Sequence, residues 1–130
     1  MCKTIENAGT KLINNGTDVT IVTNSHRAAD VMKASRVLVV RGISTAIIEL
    51  SATEPLDERM IVDYGEKTGV LVFLDEEIYK EIKNKIKLPP GQMTYIKDAT
   101  IEEIIEGTRQ ALKSKMENGG GSAYNFVHYV

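Results

Sequence analysis

At 130 residues and 14.4 kDa the chain has the size of one ordinary domain, with room for a single core and too little for two. Its 42% hydrophobic and 26% charged residues, with a net charge of −2, place it in the soluble globular class and exclude a disordered or membrane protein. Lysines and acids are interspersed and aromatics make up only 5%, so a basic stripe and aromatic platforms for stacking bases are lacking and nucleic acid is not expected as a partner.

Cys2 is the single cysteine and cannot form an internal disulfide. The amino terminus lacks the basic-then-apolar pattern of a signal peptide, and no run approaches the ~20 apolar residues that cross a bilayer. A cytoplasmic location without membrane attachment is therefore expected. Lys11-Leu12-Ile13 followed by Asn14-Asn15-Gly16 reads as a short strand and a tight turn. The sequon Asn15-Gly16-Thr17 is then turn chemistry rather than a glycan site.

From there the chain alternates. Val19–Thr23, Ile43–Leu50, Val70–Leu74 and Met93–Ile96 are short β-branched or apolar runs, each followed by helical spacing. In the first helical segment Ala28, Val31, Met32, Ser35 and Leu38 make one face, and Gly42 sits where a left-handed cap is wanted. In the second, Asp57 can cap a turn containing Met60, Ile61 and Tyr64, with Gly69 closing it. The third places Ile78, Ile82 and Ile86 four residues apart and is expected to run until Pro89-Pro90 stops it. The fourth opens with Thr100-Ile101-Glu102-Glu103, a capping box, and presents Ile101, Ile105, Thr108 and Leu112.

Strands that are apolar at nearly every position, as Val70–Leu74 is, must be covered on both faces. Strand–helix–strand connections of this length fit parallel pairing with right-handed crossovers, which puts helices on both sides of one sheet. One α/β domain is expected over residues 1–117. Residues 118–130 form a Gly-rich tail expected to be flexible unless a neighbour covers it, with Tyr124, Phe126 and Tyr129 as candidate contacts.

Ligands of open parallel sheets bind outside the carboxyl ends of the strands. Four loops are expected there: 24–27, 52–57, 75–77 and 97–100. Asn24, Ser25, His26 and Arg27 offer a helix start with basic neighbours, which suits a small anion. Glu54, Asp57, Asp75, Glu76 and Glu77 in the neighbouring loops would repel one. Ser25 reads as the helix N-cap before it reads as a nucleophile, and adjacent Ser25 and His26 diverge on a helix, so no catalytic pair is assigned. His26, His128 and Cys2 have no metal-ligand spacing, and Asp75-Glu76-Glu77 reads as a solvated helix start before a cation site. No Walker loop or Gly-x-Gly-x-x-Gly follows any strand. No residue is assigned to catalysis, cofactor or metal.

The order and wording of these pieces resemble the C-terminal domain of transketolase and its thiamine-diphosphate-dependent relatives. NNGTDVTIVTNS is similar to the family's entry strand and small polar turn, through Gly16 and Asp18 to Ser25. AADVMKASRVLVVRGISTAIIEL follows its Ala-rich helix, Gly-Ile and second strand. SATEPLDERMIVDYGEKTGVLVFLDEE is similar to its Thr-x-x-Pro-Leu-Asp turn, helix, Lys-Thr-Gly and acidic strand ending. Pro55, Leu56, Asp57 and Gly69 match there, while Ala52 stands where the family commonly has threonine. The likeness runs from about Gly9 to Ala111 and departs after Glu77, where Ile78-Tyr79-Lys80 continues as helix.

The resemblance implies a three-layer α/β/α domain with a five-stranded, mostly parallel mixed sheet and one reversed edge strand. It also implies that thiamine diphosphate and magnesium are bound by partner domains or a partner subunit. This chain would then be a non-catalytic scaffold, docking and dimerisation unit of a transketolase-like or 2-oxoacid oxidoreductase enzyme. The alternative from the residues alone is a free-standing anion-binding module at residues 24–27.

Overall fold

A computed structural model of the chain describes residues 5–7, 9–51 and 57–118. Its elements in chain order are β1 (Ile5–Asn7), β2 (Thr10–Asn14), β3 (Val19–Asn24), α1 (Ala28–Val40), β4 (Thr45–Leu50), α2 (Glu58–Thr68), β5 (Leu71–Phe73), α3 (Glu76–Ile82), β6 (Met93–Tyr95) and α4 (Ile101–Asn118). The strands form one sheet in the order β1-β2-β4-β3-β5-β6. β3 pairs parallel with β4 and β5, and β5 with β6, while β2 runs antiparallel to β4. This is the expected five-stranded mixed sheet with its reversed strand. β1 extends it outward as a three-residue antiparallel strand that hydropathy patterning does not single out.

Helices cover both faces. β3 alternates its side chains between them: Val19 and Ile21 pack with Val31 of α1, Ile104 of α4 and Leu74 just after β5, while Val22 packs with Met60, Ile61, Phe73 and Ile82 from the other side. Central strands therefore read as unbroken apolar runs because each face has its own core.

The helix ends carry the expected punctuation. After α1, Gly42 N donates to Val39 O and Ile43 N to Leu38 O, the paired reversal that a glycine at φ 85° permits. Asp57 accepts from Met60 N at the start of α2, and Gly69 closes that helix at φ 78°. Thr100 and Glu103 exchange both hydrogen bonds of a capping box before α4.

Three expectations are corrected. Ser25 does not cap α1: residues 25–27 form a turn, Arg27 is the cap residue, and Asn24 Oδ1 accepts from Arg27 N at 3.1 Å. An asparagine reaching two or three residues ahead satisfies the turn before the helix begins, leaving Ser25 outside it. The third helix does not run to Pro89. It ends at Ile82, where Lys85 N and Ile86 N both turn back to Ile82 O, and the buried Ile86 reaches the core from a turn. The inward line of α4 is Ile104, Thr108 and Ala111, with Ile101, Ile105 and Leu112 only partly buried. α4 packs against α1 as well as the sheet, so its apolar surface is broader than one stripe.

Candidate functional site

The parallel strands bring the carboxyl ends of β3, β4, β5 and β6 to one edge, where the 24–27, 75–77 and 97–100 segments follow them. Residues 52–56, including Glu54, Pro55 and Leu56, lie outside the described residues. Ser25 and His26 are exposed, and Asn24 and Arg27 are half-buried. The four anion-site candidates are thus adjacent at the edge, but the polar groups of Asn24 and Arg27 serve the fold. Asn24 binds the Arg27 backbone. The Arg27 guanidinium lies 3.3 Å from Asp30 Oδ2 through Nε and donates through its terminal nitrogen to the Ala99 carbonyl. That second contact ties the loop after β3 to the loop before α4. A guanidinium engaged with a carboxylate and a carbonyl has few donors left for an incoming anion.

Ser25 also borders a small cavity of about 150 Å³ with Gly9, Lys11, Glu49 and Ser51. Lys11 and Glu49 are register partners there, placing opposite charges across β2 and β4. The acidic loops are likewise structural. Asp75 accepts from Ile78 N at 3.1 Å and Glu76 pairs with Lys80 at 3.3 Å. Among the described residues no group of three His, Cys, Asp or Glu side chains is placed to hold a metal ion, and no helix is long and apolar enough to cross a membrane.

The family-motif residues that are described stabilise the β3–β4 and α2 junctions. A Cβ on Gly16 would lie 2.2 Å from the Thr45 carbonyl carbon, so only glycine lets this turn cross the start of β4. Asp18 locks the same place: its backbone N donates to Ser44 O, and its carboxylate accepts from Ser44 N at 2.8 Å. Asp57 caps α2 and its own backbone N donates to Thr10 Oγ1 at 2.9 Å, joining α2 to β2.

The opposite edge, at the amino ends of the parallel strands, has a different chemistry. Val37, Val39 and Val40 at the end of α1 are 37%, 60% and 85% exposed. Two open cavities border the α1–β4 turn. One, of about 340 Å³, is lined by Asn14, Met32, Val39 and Thr45 among others; the other, of about 350 Å³, by Ile43, Arg109, Leu112, Lys113 and Met116 among others. Residue-by-residue reading passed over this surface. Its signal was the run Val37-Leu38-Val39-Val40, since a helix of this kind can bury only part of four consecutive apolar residues and here buries Leu38 alone.

Known proteins with the same features fall into one group. Residues 8–81 match the family model described as transketolase, C-terminal domain. A 1-deoxy-D-xylulose-5-phosphate synthase from Desulforudis audaxviator (strain MP104C) is 29% identical over 68 residues, covering 52% of this chain and 11% of that protein. The pyruvate dehydrogenase E1 component subunit beta of Acholeplasma laidlawii is 34% identical over 68 residues, covering 52% of this chain and 21% of its own length. The chain thus corresponds to between 11% and 21% of the length of these curated relatives. Among solved structures, a split-gene transketolase in the form of an inactive β4 tetramer superposes with a TM-score of 0.70 at 18% identity, over 83% of this chain and 43% of that one. A 2-oxoglutarate:ferredoxin oxidoreductase from Magnetococcus marinus does so with a TM-score of 0.62 at 13% identity, over 83% and 20% respectively. With more than half of its length matched by the family model, the chain belongs to the transketolase C-terminal domain family.

Proposed function

We propose that this chain is a non-catalytic scaffold, docking and dimerisation unit of a thiamine-diphosphate-dependent enzyme of the transketolase-like or 2-oxoacid oxidoreductase class. Thiamine diphosphate and magnesium would be held by partner domains or a partner subunit in the cytoplasm. The observation that carries this reading is the exposed valine surface at the end of α1 on a domain of this family. Isolated apolar residues on a surface are ordinary, but three on one helical turn beside two open cavities form the kind of surface that a partner covers. Stable subunit interfaces of this type bury on the order of 2,000 Å² or more and are apolar at their centre. Relatives that contain the domain within larger enzymes support the same view.

The anion-binding alternative at Asn24, Ser25, His26 and Arg27 has less to support it, because the Arg27 guanidinium is held by Asp30 and Ala99. Its test is a phosphate titration of thermal stability, which that reading requires to rise with concentration and to depend on Arg27. The docking reading is tested by affinity purification of the tagged chain from its native source. A longer chain carrying a thiamine diphosphate site should co-purify, and the complex should turn over a ketose phosphate or 2-oxoacid. Turnover by the purified chain alone, supplied with thiamine diphosphate and magnesium, would overturn it.

A further inference from the structure

α1 has one side committed to the core and one side open. Val31, Ala34, Ser35 and Leu38 are buried against the sheet and α4. Spacings of three, four and seven place Lys33, Arg36, Val37 and Val40 together on the opposite side, and all four are exposed. Val39 and Arg41, also exposed, flank that line at the end of the helix. The open side is therefore an apolar strip set among basic side chains, with Lys33 and Arg41 about 12 Å apart along the helix axis.

The charges on this side are unbalanced. The whole chain has a net charge of −2, yet among the described residues none of Lys33, Arg36 and Arg41 lies within ion-pair distance of a carboxylate. Nearby acids are already engaged. Asp30 pairs with Arg27 at 3.3 Å. Glu106 of α4 accepts from Arg109 at 2.6 Å and from Gln110 at 2.9 Å, so it offers Arg41 only a through-space attraction. Lys113, one turn beyond Arg109, adds another exposed cation, while Glu102 and Glu103 stand in the first turn of α4, at the far end of that helix. Like charges left without partners repel one another, and an incoming set of carboxylates relieves that repulsion.

We propose that this side of α1 docks an amphipathic helix of a different polypeptide, whose apolar stripe covers Val37 and Val40 and whose flanking aspartates or glutamates pair with Lys33, Arg36 and Arg41. The inference rests on the docking reading and specifies its partner. Side chains three and four residues apart form ridges that a second helix can interlock with, and the valines supply the dry centre. The arginine forks match carboxylates with paired hydrogen bonds, which fixes the register of the incoming helix. A second copy of this chain does not fit, because a two-fold interface brings a patch against itself and would set these cations against their own copies. Dimerisation then belongs to another face. A lipid surface fits less well, since helices that lie in a membrane interface carry Trp, Phe or Leu where this one carries valine.

The test uses the full tagged chain, purified from its native source together with the longer chain that accompanies it. Arg36→Glu with Arg41→Glu should retain about tenfold less of that longer chain, and retention by the unaltered chain should fall as salt is raised. Circular dichroism and thermal unfolding of the variant should stay unchanged, because both side chains are exposed. Carbodiimide coupling gives an independent readout: mass spectrometry should find Lys33 Nζ joined as an amide to an aspartate or glutamate of the longer chain. Equal retention by variant and unaltered chain, with no such amide, overturns the inference and leaves the docking reading standing. If the unaltered chain retains no longer chain, both fall. Two measurements on the purified chain address the other occupants. A concentration-dependent dimer abolished by Val40→Lys would make a second copy the occupant, and sedimentation with phosphatidylglycerol vesicles that the charge-reversed variant loses would make it a lipid surface. Either result overturns the inference.

Discussion

Gly16 carries much of the local geometry at the start of the sheet. With the Thr45 backbone only 2.2 Å from the position of an added Cβ, and no flexible side chain there to yield, Gly16→Ala is expected to destabilise the fold by about 3 kcal/mol. Chemical denaturation reads this directly, and a change below about 0.5 kcal/mol would mean that the turn shifts freely. Glu106 shows the opposite regime, that of a surface group. Hydrogen bonds from Gln110, then from Arg109 at 2.6 Å, lower its carboxyl pKa below the ordinary glutamate value. Because the folded value is the lower one, the contribution is present above the ordinary value and is lost as pH falls through the folded value. Carboxyl-detected NMR should show Glu106 titrating below the ordinary glutamate range, and Gln110→Ala should move it back up. Thermal stability at neutral pH should barely change in that variant, since an exposed network of this kind contributes little.

At the scale of elements, the junction of α2 with β3 and β5 rests on buried hydroxyls. Thr20 Oγ1 lies 2.9 Å from Thr68 Oγ1; both hydroxyls reach the Tyr64 carbonyl, and that of Thr68 also reaches the Val70 carbonyl. Both threonines are fully buried, so removing one hydroxyl leaves the other group's partners short in a dry place. Thr68→Val keeps the shape and should cost about 1–3 kcal/mol, with the loss seen as faster hydrogen exchange at Val70. Punctuation of this kind was largely legible beforehand: Asp57, Gly69 and the Thr100–Glu103 box act through neighbours three or four residues away. The end of α3 was not legible, because what stops it at Ile82 is the need to bring Ile86 into the α2–β5 core before the chain returns to β6.

For the whole molecule, the valine surface separates stability from association. Val39 and Val40 contribute little to the core, so Val39→Lys with Val40→Lys should change unfolding free energy by no more than about 1 kcal/mol. The same pair of charges should abolish co-purification with a catalytic partner, because a lysine buried at an apolar interface loses its hydration without a counter-charge. Unimpaired co-purification in that variant would move the docking surface elsewhere on the domain. The tie from Arg27 to Ala99 has a different whole-molecule role. It joins two loops 72 residues apart, and that contact, rather than any property of the 24–27 segment, commits its guanidinium to the fold.

Sequence alone determined the alternation of strands and helices, the two-sided burial of the sheet and the glycines and caps at the junctions. All of these follow from periodicity and from chemistry acting over a few residues, and the family resemblance rested on the same positions. The tertiary structure decided what depends on distant partners: Asn24 rather than Ser25 shaping the turn, Arg27 engaged across the edge, β1 added outside β2, and the valines of α1 left uncovered. Local propensity ranks what a residue can do, whereas the packing of remote segments sets which of those options is geometrically available.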